Sequence, residues 1–233
     1  MIEILRLRFL KNIITVICIV FLIIIIFLAP FRIFVYDIDT YKELYKKNGV
    51  YESISETDAE NLTMSIIGYL RNEKEIKRFE LKDSRSFFTT DEINHLADVR
   101  ILIKDIIYIL YVSTVFLIIF LVLLSEKNKA GFLKRISVIL MSSSSIVIIL
   151  LILLYFFSNN FIPLFEGFHY IFFPQGNWAF PENSLLITLL PLGFFYEFFI
   201  KLLISSLIFG IVLLIVGIIF YILSIRKNTM KIK

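Results

Sequence analysis

The sequence predicts an all-α membrane protein with four transmembrane helices, both termini cytoplasmic, a small mixed extracellular domain and an interfacial Phe-rich loop. Three observations carry this. The 233 residues are 58% hydrophobic and 19% charged, with a mean hydropathy of +0.85, whereas a soluble domain holds about 45–50% apolar and about 25% charged residues. Four apolar runs reach the length of about 20 residues that a helix needs to cross the hydrocarbon layer: Ile13 to Ala29, Ile106 to Leu124, Ile136 to Phe157 and Leu202 to Ile225. Finally, 11 basic residues fall in the 31 positions of segments 1–12, 125–135 and 226–233, against two acids, Glu3 and Glu126.

That charge placement sets the orientation, because short basic connections stay in the cytoplasm. Segment 35–100 carries 10 basic and 14 acidic residues and lacks the retention signal, so it belongs outside. The resulting order is a cytoplasmic N-terminus and first span over 1–34 and an extracellular domain over 35–100. A second span over 101–125, a cytoplasmic loop over 126–135 and a third span over 136–157 follow. The chain closes with an extracellular or interfacial loop over 158–200, a fourth span over 201–225 and a cytoplasmic tail over 226–233. The first run follows Arg6, Arg8 and Lys11, as a secretory signal would, but no small-x-small cleavage site follows and Pro30 and Phe31 continue it. The single cysteine, Cys18, lies inside that run, so no disulfide framework or metal-thiolate spacing is present. The net charge of +4 says less than its placement, and no nucleic-acid partner is expected.

Within the outer domain, Thr57 and Glu60 have capping-box spacing, and Leu62, Ile66, Ile67 and Leu70 share a face, predicting a helix over about 58–71. Phe79 and Leu81 alternate with charged neighbours and predict a short strand. Thr89 and Glu92 again have capping-box spacing and open a run with no Pro or Gly until Gly131, so the second transmembrane helix starts several turns outside the membrane. In the second outer segment Phe161, Phe165, Phe168 and Phe172 recur at helical spacing, ended by Pro174-Gln175-Gly176. Such a stripe suits a helix lying in the interface, and Trp178 suits the headgroup layer. Ser142 to Ser145 and Ser206-x-x-x-Gly210 read as close helix packing, and Lys104, Asp105 and Lys201 as interfacial side chains that snorkel.

No nucleophile elbow, Walker loop, H-E-x-x-H or dinucleotide fingerprint occurs. The two histidines, His95 and His169, both fall on the predicted outer side beside a membrane boundary. On a helix, Asp91 four residues before His95 and Asp98 three after share its face. A carboxylate accepting one ring N–H would fix the tautomer and leave the other nitrogen to take a proton. An ordinary surface histidine and an amphipathic anchor are the plainer readings of the same residues.

The segment Thr90-Asp91-Glu92-Ile93-Asn94-His95-Leu96-Ala97-Asp98-Val99-Arg100 resembles the first signature of the lipoprotein intramolecular transacylases (Lit). The segment Phe168-His169-Tyr170-Ile171-Phe172-Phe173-Pro174-Gln175-Gly176-Asn177-Trp178-Ala179-Phe180, followed by Leu185-Leu186-Ile187 and Pro191, resembles the second. Leu192-Gly193 stands where the resemblance leads one to expect an acidic residue. These signatures also mark a broader group of Gram-positive integral membrane proteins of unassigned function. The resemblance implies a cell-membrane acyltransferase with its active site on the extracellular face and no cofactor or metal. Its substrate would be a diacylglyceryl lipoprotein among membrane lipids. The sn-2 acyl chain would pass to the α-amine of the lipoprotein's own cysteine, giving a lyso-form lipoprotein. No enzyme nucleophile is needed, because the substrate carries its own. On this reading His95, oriented by Asp98 or Asp91, is the general base, and His169 stabilises the oxyanion or protonates the glycerol alkoxide. Asn177 or the Gly176 backbone N–H adds an oxyanion donor, and Trp178, Tyr170, Phe168 and Phe172 line the acyl site. Two other classes compete: a non-enzymatic membrane protein with a protein-binding outer domain, and a metal-dependent membrane hydrolase using His95, Asp98 and His169 as ligands.

Overall fold

The computed structural model describes residues 2–73 and 88–229. Among these every regular element is helical: α1 (Ile2–Phe34), α2 (Ile38–Lys47), α3 (Val50–Ser53), α4 (Glu56–Leu70), α5 (Thr90–Leu123), α6 (Lys129–Phe157), α7 (Phe161–Phe172), α8 (Leu185–Leu189) and α9 (Leu192–Thr229). The strand expected around Phe79 and Leu81 lies outside the described residues. Helices α1, α5, α6 and α9 are long and apolar enough to cross a membrane. Val16, Ile118, Ile149 and Val212 lie exposed on these helices, and apolar side chains on every face suit a lipid solvent rather than water.

The chain divides into two compact units. The first comprises Met1–Pro30, Tyr108–Leu154 and Leu203–Lys233, the apolar stretches of the four long helices. The serine run packs here as expected for its inner half: Ser143 and Ser144 are fully buried while Ser145 is exposed, and Ser143 Oγ donates to the Ile19 carbonyl at 3.2 Å. Gly217 lets α9 approach Leu140 and Met141 closely. At one end Lys11 and Arg135 both meet Glu126, at 2.7 and 3.8 Å.

The second unit comprises Phe31–Ile107 and Tyr155–Leu202. Its core joins Tyr41, Leu44 and Tyr45 of α2, Leu62 and Ile66 of α4, Leu96 of α5, Leu186 and Leu189 of α8, and Phe194 of α9. Tyr45 is fully buried and shares a 2.6 Å hydrogen bond with Thr63, so its hydroxyl carries no desolvation debt. The α4 face over Leu62, Ile66, Ile67 and Leu70 is buried as expected, but its cap differs. Ser55, not Thr57, is the N-cap: its hydroxyl accepts from Asp58 N at 3.2 Å, because Ser55-x-x-Asp58 offers the same geometry two residues earlier. Lys201 does not snorkel freely: it pairs with Glu43 at 2.5 Å and covers the Phe34 ring at 5.3 Å. The long helices also outrun the apolar windows. The α9 helix begins at Leu192, directly after Pro191, whose carbonyl accepts from Phe194 N at 2.9 Å.

Candidate functional site

The start of α5 has the reciprocal cap its sequence predicts. Glu92 N donates to Thr89 Oγ1 at 3.2 Å, and Thr89 N donates to Glu92 Oε2 at 2.6 Å. The same carboxylate also accepts from Leu186 N through Oε1 at 2.7 Å, although it is completely buried. Glu92 therefore joins the first motif to α8 in the second. Sequence reasoning saw only the local half of this role, since a long-range backbone partner leaves no mark on spacing.

One turn further along, His95 is buried at 6% exposure and faces His169, itself at 7%; the ring centroids are 6.0 Å apart and 26° from parallel. Aromatic rings enclose the pair. Phe173 meets His95 edge-on at 4.8 Å and Phe180 at 5.6 Å. Phe165 and Trp178 lie 4.2 and 4.8 Å from His169. Phe165 and Phe173, one turn either side of His169, were legible as helical neighbours, whereas Phe180 closes the second signature segment without any spacing that places it against His95.

His169 takes its orientation from its own helix. Its Nδ1 lies 2.7 Å from the Phe165 carbonyl, which can only accept, so Nδ1 carries the proton and Nε2 a lone pair. Burial pushes His169 below the ordinary histidine value, and the bond to Phe165 partly opposes this. The ring is accordingly neutral at pH 7.

His95 differs. Its Nδ1 is buried and has no hydrogen-bond partner among the described residues, so neither Asp91 nor Asp98 bonds to it as the helical spacing suggested. Asp91 is exposed on the first turn. Asp98 turns instead toward the loop after α7, where its Oδ2 accepts from Gln175 Nε2 and Asn177 Nδ2, each at 2.8 Å. Sharing a helix face was thus insufficient, because two amides from the second motif compete for the same carboxylate.

That loop is shaped by its backbone. Phe173 N caps α7 by donating to the His169 carbonyl at 2.7 Å, Pro174 ends the helix, and Gly176 adopts φ +78°. A Cβ at Gly176 would meet nothing within 4 Å, so the conformation, not space, calls for glycine there. Gly176 N donates to the Phe173 carbonyl at 3.0 Å. This bond engages in the turn the Gly176 N–H that the sequence offered as an oxyanion donor. The turn sets Asn177 against Asp98 and lays Trp178 on His169. Of the residues expected to line an acyl site, Trp178 touches His169, and Phe168 meets it edge-on at 5.5 Å. Tyr170 and Phe172 are exposed; Tyr170 packs edge-on against Trp178 at 5.3 Å, and Phe172 against Phe168 at 4.8 Å.

A family model for the lipoprotein intramolecular transacylase Lit matches residues 13–195, a stretch that contains both histidines and the loop between Phe173 and Phe180. The chain belongs to the Lit family. An uncharacterized protein of Aquifex aeolicus (strain VF5) is 26% identical over 147 residues, 62% of this chain. The match spans 63% of the length of that curated relative. Among solved structures, the membrane integral lipoprotein intramolecular transacylase Lit from Bacillus cereus aligns with a TM-score of 0.75 and 20% identity, covering 96% of this chain and 99% of that one. A variant of the same protein with a histidine replaced by arginine also gives 0.75, covering 98% of each chain. At this identity the likeness is one of fold, and it makes this a multi-pass membrane protein of the same helical architecture. The family's region ends in this chain at the α9 start, where Gly193 lies so close to the Asn48 side-chain oxygen that any Cβ would displace it. That approach gives Gly193 a packing role where an acidic side chain was expected.

Proposed function

We propose that this Lit-family chain moves the sn-2 acyl chain of a diacylglyceryl-cysteine lipoprotein to the cysteine's own α-amine. The observation that carries this reading is the histidine pair: two buried imidazoles 6.0 Å apart in an aromatic cage. Among the described residues no hydrogen bond engages the Nε2 of either histidine; the one bond to an imidazole is that between His169 Nδ1 and the Phe165 carbonyl. In the reaction the amine nitrogen attacks the ester carbonyl carbon, a C–N bond forms, and the tetrahedral oxyanion collapses with cleavage of the bond to the glycerol sn-2 oxygen. One proton leaves the amine and one arrives on the glycerol oxygen. The amine titrates at about 7.7–8.0, so a neutral imidazole can take its proton at little cost.

The hydrogen bonding favours exchanging the roles that spacing alone suggests. His169, with its proton held at Nδ1 by Phe165, presents a lone pair at Nε2 and suits the base. His95 has no partner at Nδ1 among the described residues; a proton placed at Nε2 avoids burying an unpaired N–H and suits donation to the oxyanion or the departing alkoxide. Holding amine and ester together removes much of the entropic cost of closing a medium-sized ring. The charge pattern supports cytoplasmic termini and a site on the extracellular face, at the depth where lipid ester groups lie, with the exposed apolar side chains of α7 in the interface. Among the described residues, His95, Asp98 and His169 do not form a group spaced to share one metal ion.

The test is mass spectrometry of lipoprotein N-termini in a host without other N-acylation, with and without this chain. N-acyl, S-monoacylglyceryl peptides should accumulate only when it is expressed. Unchanged diacylglyceryl peptides with a free amine would refute the reading.

A further inference from the structure

We infer that Asn177 receives the substrate's α-ammonium through its side-chain oxygen, with Asp98 as the charge that holds and polarises it. This rests on the transacylase reading and adds to it the part of the site that recognises the amine. The orientation of Asn177 follows from chemistry. A carboxylate only accepts, so the amide group facing Asp98 Oδ2 at 2.8 Å is Nδ2, and Oδ1 points the other way. That oxygen is buried and has no hydrogen-bond partner among the described residues. A buried acceptor left unpaired destabilises the site, and a ligand bearing N–H groups would satisfy it. The ester carbonyl and the oxyanion carry only lone pairs, which Oδ1 would repel; the ammonium carries three N–H groups and no lone pair. Donation to a carboxylate also raises the negative charge on the amide oxygen, which favours a cation there.

Position agrees with chemistry. Asp98 stands three residues after His95 on α5, and Trp178, next to Asn177, lies 4.8 Å from His169. Asn177 is thus tied to the element bearing one imidazole and adjoins the residue packed on the other. Gln175 Nε2 makes an equivalent bond to the same Asp98 oxygen but leaves no buried acceptor, and so serves as the internal control.

The experiment measures equilibrium binding of two diacylglyceryl-cysteine peptides with ether-linked chains, one with a free α-amine and one N-acetylated, so that neither turns over. The full-length protein should bind the free-amine probe about tenfold more tightly or better, the span of one charge-assisted hydrogen bond. Asn177→Ala should abolish that preference while leaving the affinity for the N-acetyl probe unchanged. Asp98→Asn, which removes the charge and frees the Asn177 amide to turn over, should weaken the preference several-fold and covers the case of an Asn177 variant that fails to fold. Gln175→Ala should keep it. A preference that survives both Asn177→Ala and Asp98→Asn overturns the assignment, as does a turnover loss in Asn177→Ala with the preference intact, the signature of an oxyanion donor. A wild-type protein that binds both probes equally sinks this inference alone, whereas one that binds neither sinks the transacylase reading with it.

Discussion

Two successive turns of α5 carry buried polar side chains with opposite fates. In the first turn Glu92 is fully buried and its two oxygens accept from Thr89 N and Leu186 N, so the charge is compensated at both ends. In the next, His95 is almost as buried, yet its Nδ1 meets no donor or acceptor among the described residues. A satisfied buried group stabilises a fold, because removing it orphans its partners. An unsatisfied one lowers stability by itself and is retained where a ligand completes it. Glu92 thus reads as the clamp between the two motifs and His95 as part of the chemistry.

Three changes break or sharpen that contrast. The largest effect falls on turnover: His169→Gln or His95→Gln should each lower N-acylation about 10²–10⁴-fold by mass spectrometry, the range for a lost proton-transfer group, with thermal unfolding of the His95 variant not lowered. Full activity in either variant would return that imidazole to an aromatic-cage packing role. The converse change is Glu92→Ala, which orphans two backbone N–H groups and should destabilise the protein by about 2–5 kcal/mol in thermal or denaturant unfolding. Glu92→Gln, which keeps one acceptor, should cost less. An Ala variant as stable as wild type would show that Glu92 clamps nothing.

The smallest effect is a displacement along the pH axis. Because burial lowers His169 below 6.5, the neutral form persists beneath the usual histidine range. The acid limb of the rate profile should therefore have its midpoint below pH 6.5. The sign for stability is the same: the unfolded chain binds the proton more readily, so this contribution is present above pH 6.5 and is lost as the pH falls. A midpoint at or above 6.5 would mean that water or an anion reaches the ring.

Much of the architecture was legible because it depends on local, repetitive chemistry. Four long apolar runs need helices in lipid, Thr89 and Glu92 announce the start of α5, and the Phe161 to Phe172 spacing marks α7. Boundaries were less legible: α9 begins ten residues before the apolar run because Pro191 supplies a helix start there. Ser55 displaced Thr57 as a cap because two nearby serine-type residues offer one geometry. Both histidines were identifiable by scarcity and motif. Their partners were not, since spacing gives the set of residues that share a face and leaves open which of them wins a contested hydrogen bond.

Helix positions, the two motif segments and the chemistry-bearing side chains were written in the order of residues, because hydrophobic period and capping act within a turn or two. The meeting of His95 with His169, the loss of Asp98 to Gln175 and Asn177, the closure of the Gly176 turn and the long reach of Glu92 were decided by tertiary structure. Each depends on groups between 74 and 94 positions apart or on a single left-handed glycine. Such choices are settled by which buried donors and acceptors can be paired at once, a condition on the whole packed unit that no window of sequence contains.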